Sequence, residues 1–160
     1  MYRIGQSTDI HQLVPGRKLI IGGVEIESEL GLLGHSDADV LSHAIIESII
    51  GALGLGDIGK HFSDSDDRYK GISSLVLMEK TYEMMDKQGY EISNLDALIL
   101  IEKPKMAPHI PKMKSNISRI LKCDPNKINI KATRGEKLGF IGRSEGAVSQ
   151  CVVMLKKKGI

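Results

Sequence analysis

Residues 147–155 lack a polar face. Read with the two-residue period of a β-strand, Ala147, Ser149, Cys151, Val153 and Leu155 fall on one side and Val148, Gln150, Val152 and Met154 on the other. Both sides carry apolar groups, so a sheet built on this strand must be covered twice. Helices can cover one face. The second face is expected to be buried by further copies of the chain.

The remaining segments supply both kinds of element. A strand enters at Tyr2–Gly5, and "KLIIGGVEIE" (18–27) reads as a hairpin around Gly22-Gly23. Ser36, Asp37 and Asp39 are each suited to cap a helix running towards Leu53, where acidic groups also match the positive end of the helix dipole. Residues 57–71 read as a long loop, and long loops in compact domains are often functional. A second helix is predicted from about Ser74 to Gln88, closed by Gly89. Then come a strand in 92–102, a proline-entered helix in 108–122, and strands in 127–134 and 146–158. Neither a repeat nor a low-complexity linker interrupts the 160 residues, so one domain over 1–160 is expected. The order predicts an α+β fold: a mixed β-sheet with helices on one face, the other face buried in an oligomer.

Charge and cysteine content exclude several functions. Twenty-two basic residues stand against 20 acidic ones, too small an excess to drive nucleic-acid binding, and Lys156–Lys158 reads as a solvated tail. Cys123 and Cys151 lie far apart with no CxxC partner, which argues against a thiol redox motif and favours a reducing compartment. No signal pattern opens the chain, and the apolar stretch Ala44–Leu55 is too short to span a bilayer. A cytoplasmic protein without a membrane partner is expected.

Candidate chemistry begins at "STDIHQL" (7–13). Along a strand, Asp9 and His11 share a face, and His43 on the first helix can join them if that helix packs beside the strand. One Asp and two His would supply three ligands to a zinc-like ion and leave a fourth position open, as catalytic sites do. Glu47, one turn beyond His43, is spaced to support it from behind. An ordinary surface pair and a helix histidine account for the same spacing, and these residues alone leave the choice open. The glycines of "GALGLGDIG" (51–59) end a helix instead of opening one, which excludes a dinucleotide fingerprint. The acidic run Ser63–Asp67 lacks the Gly and Glu of a calcium hand and reads as solvated.

Taken in order, "DIH" (9–11), "IIGG" (20–23), "GLLGHSDADVLSH" (31–43), "GDIGKHF" (56–62), "KPKMAPHIPKM" (103–113), "NIKAT" (129–133), "EKLGF" (136–140) and "GR" (142–143) resemble one family across essentially the whole chain. That family is 2-C-methyl-D-erythritol 2,4-cyclodiphosphate synthase, of the non-mevalonate isoprenoid pathway. The resemblance implies a lyase that converts 4-diphosphocytidyl-2-C-methyl-D-erythritol 2-phosphate to the cyclic diphosphate. The substrate's own 2-phosphate attacks the β-phosphorus and CMP leaves. It also implies a homotrimer of α+β subunits with active sites between neighbours. The two-sided strand then faces the three-fold axis.

The same resemblance implies roles residue by residue. Asp9, His11 and His43 match the zinc ligands, and Glu136 matches the ligand of a second ion, magnesium or manganese. His35 and Ser36 match phosphate contacts at the mouth of the first helix, with His35 placed in the catalytic step. Asp57, Ile58 and Gly59, with the loop Phe62, Ser63, Asp64, Ser65 and Asp66, match the region closing over the methylerythritol hydroxyls. Pro104, Lys105 and Met106 match a cytosine pocket, and Thr133, Phe140 and Arg143 complete the substrate contacts. Some positions depart from the family pattern. Ser7-Thr8 replace a Gly and an aromatic residue that face a central cavity able to take isoprenoid diphosphates in some members. Ser63 replaces a Pro, and Ile101-Glu102 replace Ala-Gln. In "TRGEK" (133–137), Arg134 stands where the family has the Thr thought to steady the transition state. Arg134 either donates to the same phosphates or points to solvent. A cytidine-binding paralogue and a metal-dependent phosphohydrolase are the rival readings.

Overall fold

Among the described residues, seven strands and five α-helices form the fold: β1 (Tyr2–Pro15), β2 (Leu19–Ile21), β3 (Val24–Ile26), β4 (Leu30–Leu32), α1 (Val40–Ala52), α2 (Ile58–His61), α3 (Ser74–Lys87), β5 (Tyr90–Leu100), α4 (Ile110–Ile120), β6 (Ile128–Thr133), α5 (Gly139–Gly142) and β7 (Gly146–Lys157). The structure, a computed structural model, describes residues 1–159. β2 and β3 form the separate hairpin, and the other five strands form one sheet in the order β4-β1-β7-β5-β6. β5 and β6 are parallel because α4 carries the chain back over the sheet between them, whereas every other neighbouring pair is antiparallel. The sheet is therefore mixed, as its interleaved elements predicted.

The alternation along β1 and β7 sorts their residues into two environments. Gly5 and Ser7, with Cys151, Val153 and Leu155 of β7, are buried against the helices. The opposite row includes Ile4, Ile10 and Val152, which are 67%, 57% and 53% exposed. In register, Ile10 pairs with Val148 and Gln6 with Val152, so the exposed apolar groups belong to one sheet face. α1 fills the covered face. Nearly all its residues are buried, including Leu41, Ile45, Ile46, Ile49 and Ile50, because the sheet lies on one side and α3 on the other.

Two local devices fix α1. A Cβ added at Gly5 would lie 1.8 Å from the Ser48 carbonyl oxygen and 2.8 Å from the Ala52 nitrogen, so only glycine lets β1 and α1 approach this closely. At the other end, Asp39 caps the helix by accepting from the Ser42 N–H at 3.0 Å. The same carboxylate accepts from Gly22 N–H and Gly23 N–H at 2.9 and 2.8 Å, tying the β2–β3 turn to the helix start. Both glycines have positive φ, +60° and +73°, as a two-residue hairpin turn of this hand requires.

Several expectations need correction. β4 is not visible in the sequence: its three residues are too short for a period, and their partners lie at the far end of β1. The 57–71 loop is not wholly irregular, since α2 and a 3₁₀ turn over Asp67–Tyr69 lie within it. α5 also stands where only a loop was expected. His43 lies in the first turn of α1, not two turns inside it, because Asp39 and not Ser36 is the cap. Both cysteines are free thiols, and burial pushes Cys151 up to about 12, which leaves it inert. Among the described residues, no helix is long and apolar enough to cross a membrane.

Candidate active site

β1 and the first turn of α1 bring Asp9, His11 and His43 together. His11 Nε2 lies 2.9 Å from Asp9 Oδ2, and His43 Nδ1 lies 3.3 Å from the same oxygen and 3.2 Å from His11 Nε2. Their ligand atoms form the one such cluster of three or more His, Cys, Asp or Glu among the described residues. They line a cavity of about 300 Å³ with His35, Ser36, Ile58, Gly59, Phe62 and Asp64.

Proton accounting defines what this cluster presents. His11 Nδ1 is 2.8 Å from the Leu33 carbonyl oxygen, which can only accept, so Nδ1 carries the proton and Nε2 offers its lone pair. His43 Nε2 lies 2.8 Å from Ser74 Oγ, whose own hydrogen is donated to Asp37 Oδ1. Ser74 must therefore accept from His43 Nε2–H, and His43 Nδ1 is the free lone pair. Asp9 Oδ2 is buried and has no hydrogen-bond donor of acceptable geometry. Three lone pairs thus converge, an arrangement stable only around a cation. Two nitrogens and a carboxylate oxygen form a donor set suited to zinc.

The electrostatics agree. Burial works against the charge on Asp9, but the closeness of the His11 and His43 rings outweighs it and brings the carboxyl down to about 2. Burial likewise opposes a charged His11, yet Asp9 holds that imidazole above its ordinary value. When no metal is bound, a second proton, on His11 Nε2 beside Asp9, takes the cation's place.

The other named residues fall into separate groups. His35 Nε2 donates to the Asp66 carbonyl at 2.9 Å, which ties the acidic loop to the cavity rim. Asp57 caps α2, Ser63 and Ser65 bond each other, and the Asp66 carboxylate pairs with Arg68. These four carboxylate and hydroxyl residues do not line the metal cavity as Asp64 does. Pro104, Lys105, Met106, Thr133, Arg134 and Glu136 line a second cavity of about 460 Å³, which shares no residue with the first. Arg143 borders a third cavity beside Lys103 and Pro104, and Phe140 lies half-exposed near Gly146. Glu47 does not support His43. It accepts from Ser7 Oγ and from the Ile58 N–H at 3.3 Å, because it follows His43 on the side of α1 facing β1 and α2. The groups behind the histidines are instead Leu33 O, Ser74 and Asp37. A backbone carbonyl leaves no mark in a sequence, and the other two were visible only as residues suited to helix starts.

Residues 2–156 match the model of the YgbB family. The chain belongs to that family. It is 57% identical over 158 residues to a 2-C-methyl-D-erythritol 2,4-cyclodiphosphate synthase of Geobacillus sp. (strain WCH70), covering 99% of this chain and 100% of that one. The synthase of Geobacter sulfurreducens is 56% identical, with 98% and 99% covered. Among solved structures, the CDP complex of IspF from Plasmodium falciparum superposes with a TM-score of 0.87 at 32% identity, covering 99% of this chain and 97% of that chain. The bifunctional IspDF of Campylobacter jejuni gives 0.94 at 39% identity and covers 98% of this chain, which spans 42% of the length of that larger protein. YgbB relatives at this identity are synthases, and this chain is an enzyme of the same family.

Proposed function

We propose that the chain cyclises 4-diphosphocytidyl-2-C-methyl-D-erythritol 2-phosphate to 2-C-methyl-D-erythritol 2,4-cyclodiphosphate, releasing CMP. The observation that carries this reading is the convergence of the Asp9, His11 and His43 lone pairs in a cavity that His35 and Ser36 also line. The relatives' names and the CDP-bound neighbours supply the substrate class.

The attacking group belongs to the substrate, so the residues must fold it for in-line attack and match its charge. Asp9, His11 and His43 would hold zinc, and Glu136 would hold magnesium or manganese. Ions bound there would supply Lewis-acid chemistry and offset the charge of the diphosphate. Ser36 Oγ accepts from the Ala38 N–H at 3.2 Å and lies 3.1 Å from His43 Nε2, so its own hydrogen is free to donate to a phosphate oxygen. His35, tied through Nε2 to the Asp66 carbonyl, sets the acidic loop beside that phosphate. Asp57 to Gly59 and the loop Phe62–Asp66 receive the methylerythritol hydroxyls. Main-chain groups of Pro104, Lys105 and Met106 read the cytosine, with Thr133, Phe140 and Arg143 alongside. Arg134 borders the same cavity as Glu136 and donates to the phosphates.

Phosphorus NMR of the products tests the activity. A cyclic diphosphate with CMP is expected. Inorganic phosphate would make the chain a phosphohydrolase, and no turnover would make it a nucleotide-binding module. Arg134→Ala is expected to slow CMP release roughly tenfold to a hundredfold, the scale of one charge-assisted contact. Unchanged turnover would remove Arg134 from the mechanism.

The separation of the two cavities and the apolar exposed sheet face together support a homotrimer in which neighbouring subunits complete each site. Sedimentation is expected to give three times the 17.5 kDa subunit mass. Val152→Asp, which places a charge on that face, should yield monomers without turnover. A monomeric wild type that turns over would refute the shared site.

A further inference from the structure

We infer that Asp37 and Ser74 are positioning residues that set the tautomer of His43 and so aim its Nδ1 lone pair at the metal. The inference rests on reading Asp9, His11 and His43 as a metal site, and it adds two residues which that reading did not need.

The relay runs through a buried joint between α1 and α3. Ser74 is wholly buried at the first position of α3. Its backbone N–H donates to Asp37 Oδ2 at 3.0 Å, and its hydroxyl donates to Asp37 Oδ1. Asp37 Oδ1 also accepts from the Asp39 N–H at 3.1 Å, which fixes the carboxylate's direction. A hydroxyl has one hydrogen. With that hydrogen committed to Asp37, Ser74 Oγ can only accept from His43 Nε2 at 2.8 Å. Were the carboxylate absent, the hydroxyl could turn and donate to Nε2, which would move the ring hydrogen to Nδ1 and block the metal-facing lone pair. Ser36 Oγ, at 3.1 Å from the same nitrogen, cannot impose the choice, because its hydroxyl is free to turn either way. The carboxylate also strengthens the donor character of Nδ1, since polarising the Nε2–H bond makes the imidazole more basic.

His11 reaches the same end differently. The Leu33 carbonyl fixes its tautomer without a side chain. Substitution can therefore separate the two histidines: only His43 has a mutable support. The Ser74→Ala change is selective, because it keeps the backbone N–H at that position, which can still donate to Asp37 and preserve the start of α3.

Zinc affinity of the full chain, read by competition with a chromophoric chelator, is expected to fall about tenfold to a hundredfold in Ser74→Ala and in Asp37→Asn. Long-range proton–nitrogen spectra of the metal-free chain are expected to show wild-type His43 protonated on Nε2, and a tautomer mixture in Ser74→Ala. A purely structural role would lower the melting temperature and leave the tautomer unchanged. Wild-type zinc affinity in folded Ser74→Ala, or a wild-type His43 protonated on Nδ1, overturns the relay. A wild type that binds no zinc overturns the metal reading instead, and the tautomer spectrum, taken without metal, then decides the relay by itself.

Discussion

His43→Ala should abolish tight zinc binding and lower the rate of CMP release by roughly a thousandfold, corresponding to ~4 kcal/mol of lost charge stabilisation at the reacting phosphate. The substitution leaves Asp9 Oδ2 and His11 Nε2 as two ligands, too few for a catalytic zinc site. It also frees Ser74 and Ser36 from their shared partner without removing any backbone hydrogen bond of α1. The fold is therefore expected to survive, with a change in melting temperature of only a few degrees. Metal content by atomic absorption and CMP release by chromatography check the two halves of the expectation. Turnover within tenfold of wild type would remove His43 from the site.

The second large effect is on folding. Gly5→Ala places a methyl group where the Ser48 carbonyl oxygen and the Ala52 nitrogen already stand, and both are backbone atoms of α1 that cannot turn aside. The helix must lift from β1 or the strand must bend. Overpacking of this kind reaches about 3 kcal/mol, which in a chain of this length lowers the melting temperature by roughly 10 °C. Asp9 lies four residues along the same strand and His43 lies on the displaced helix, so zinc affinity should fall together with stability. Thermal melting with and without zinc measures both. An unchanged melting temperature would show that β1 and α1 are not held as closely as described.

The features legible in the sequence were those with local causes. Gly22-Gly23 marks its turn because two consecutive positive φ angles are needed there, and Gly89 marks the end of α3 at φ +75°. Asp9 and His11 were readable as a pair because a strand has a period of two. What escaped notice depends on distant partners. β4 exists only through its pairing with Leu13–Pro15. The supports of the histidines join positions 11 to 33, 43 to 74 and 74 to 37, spans over which no periodicity speaks. Glu47 had the right spacing for a support of His43, but Ser7 and the Ile58 N–H claim it. The prediction that helices cover one sheet face needed only the alternation in β7, which is why it survived every change of detail.

β1 carries two sets of instructions in a single run of residues. Its odd positions, from Gly5 to Asp9 and His11, serve the helix and the metal, and its even positions, from Ile4 to Ile10, serve the outer surface. A substitution at an even position can therefore act on the outer face alone and leave the ligands in place. A change in length cannot. One residue inserted or deleted between Gly5 and Asp9 would exchange the two sets, turning the ligands outward and the apolar surface inward. Along this strand the spacing matters as much as the identity of the residues.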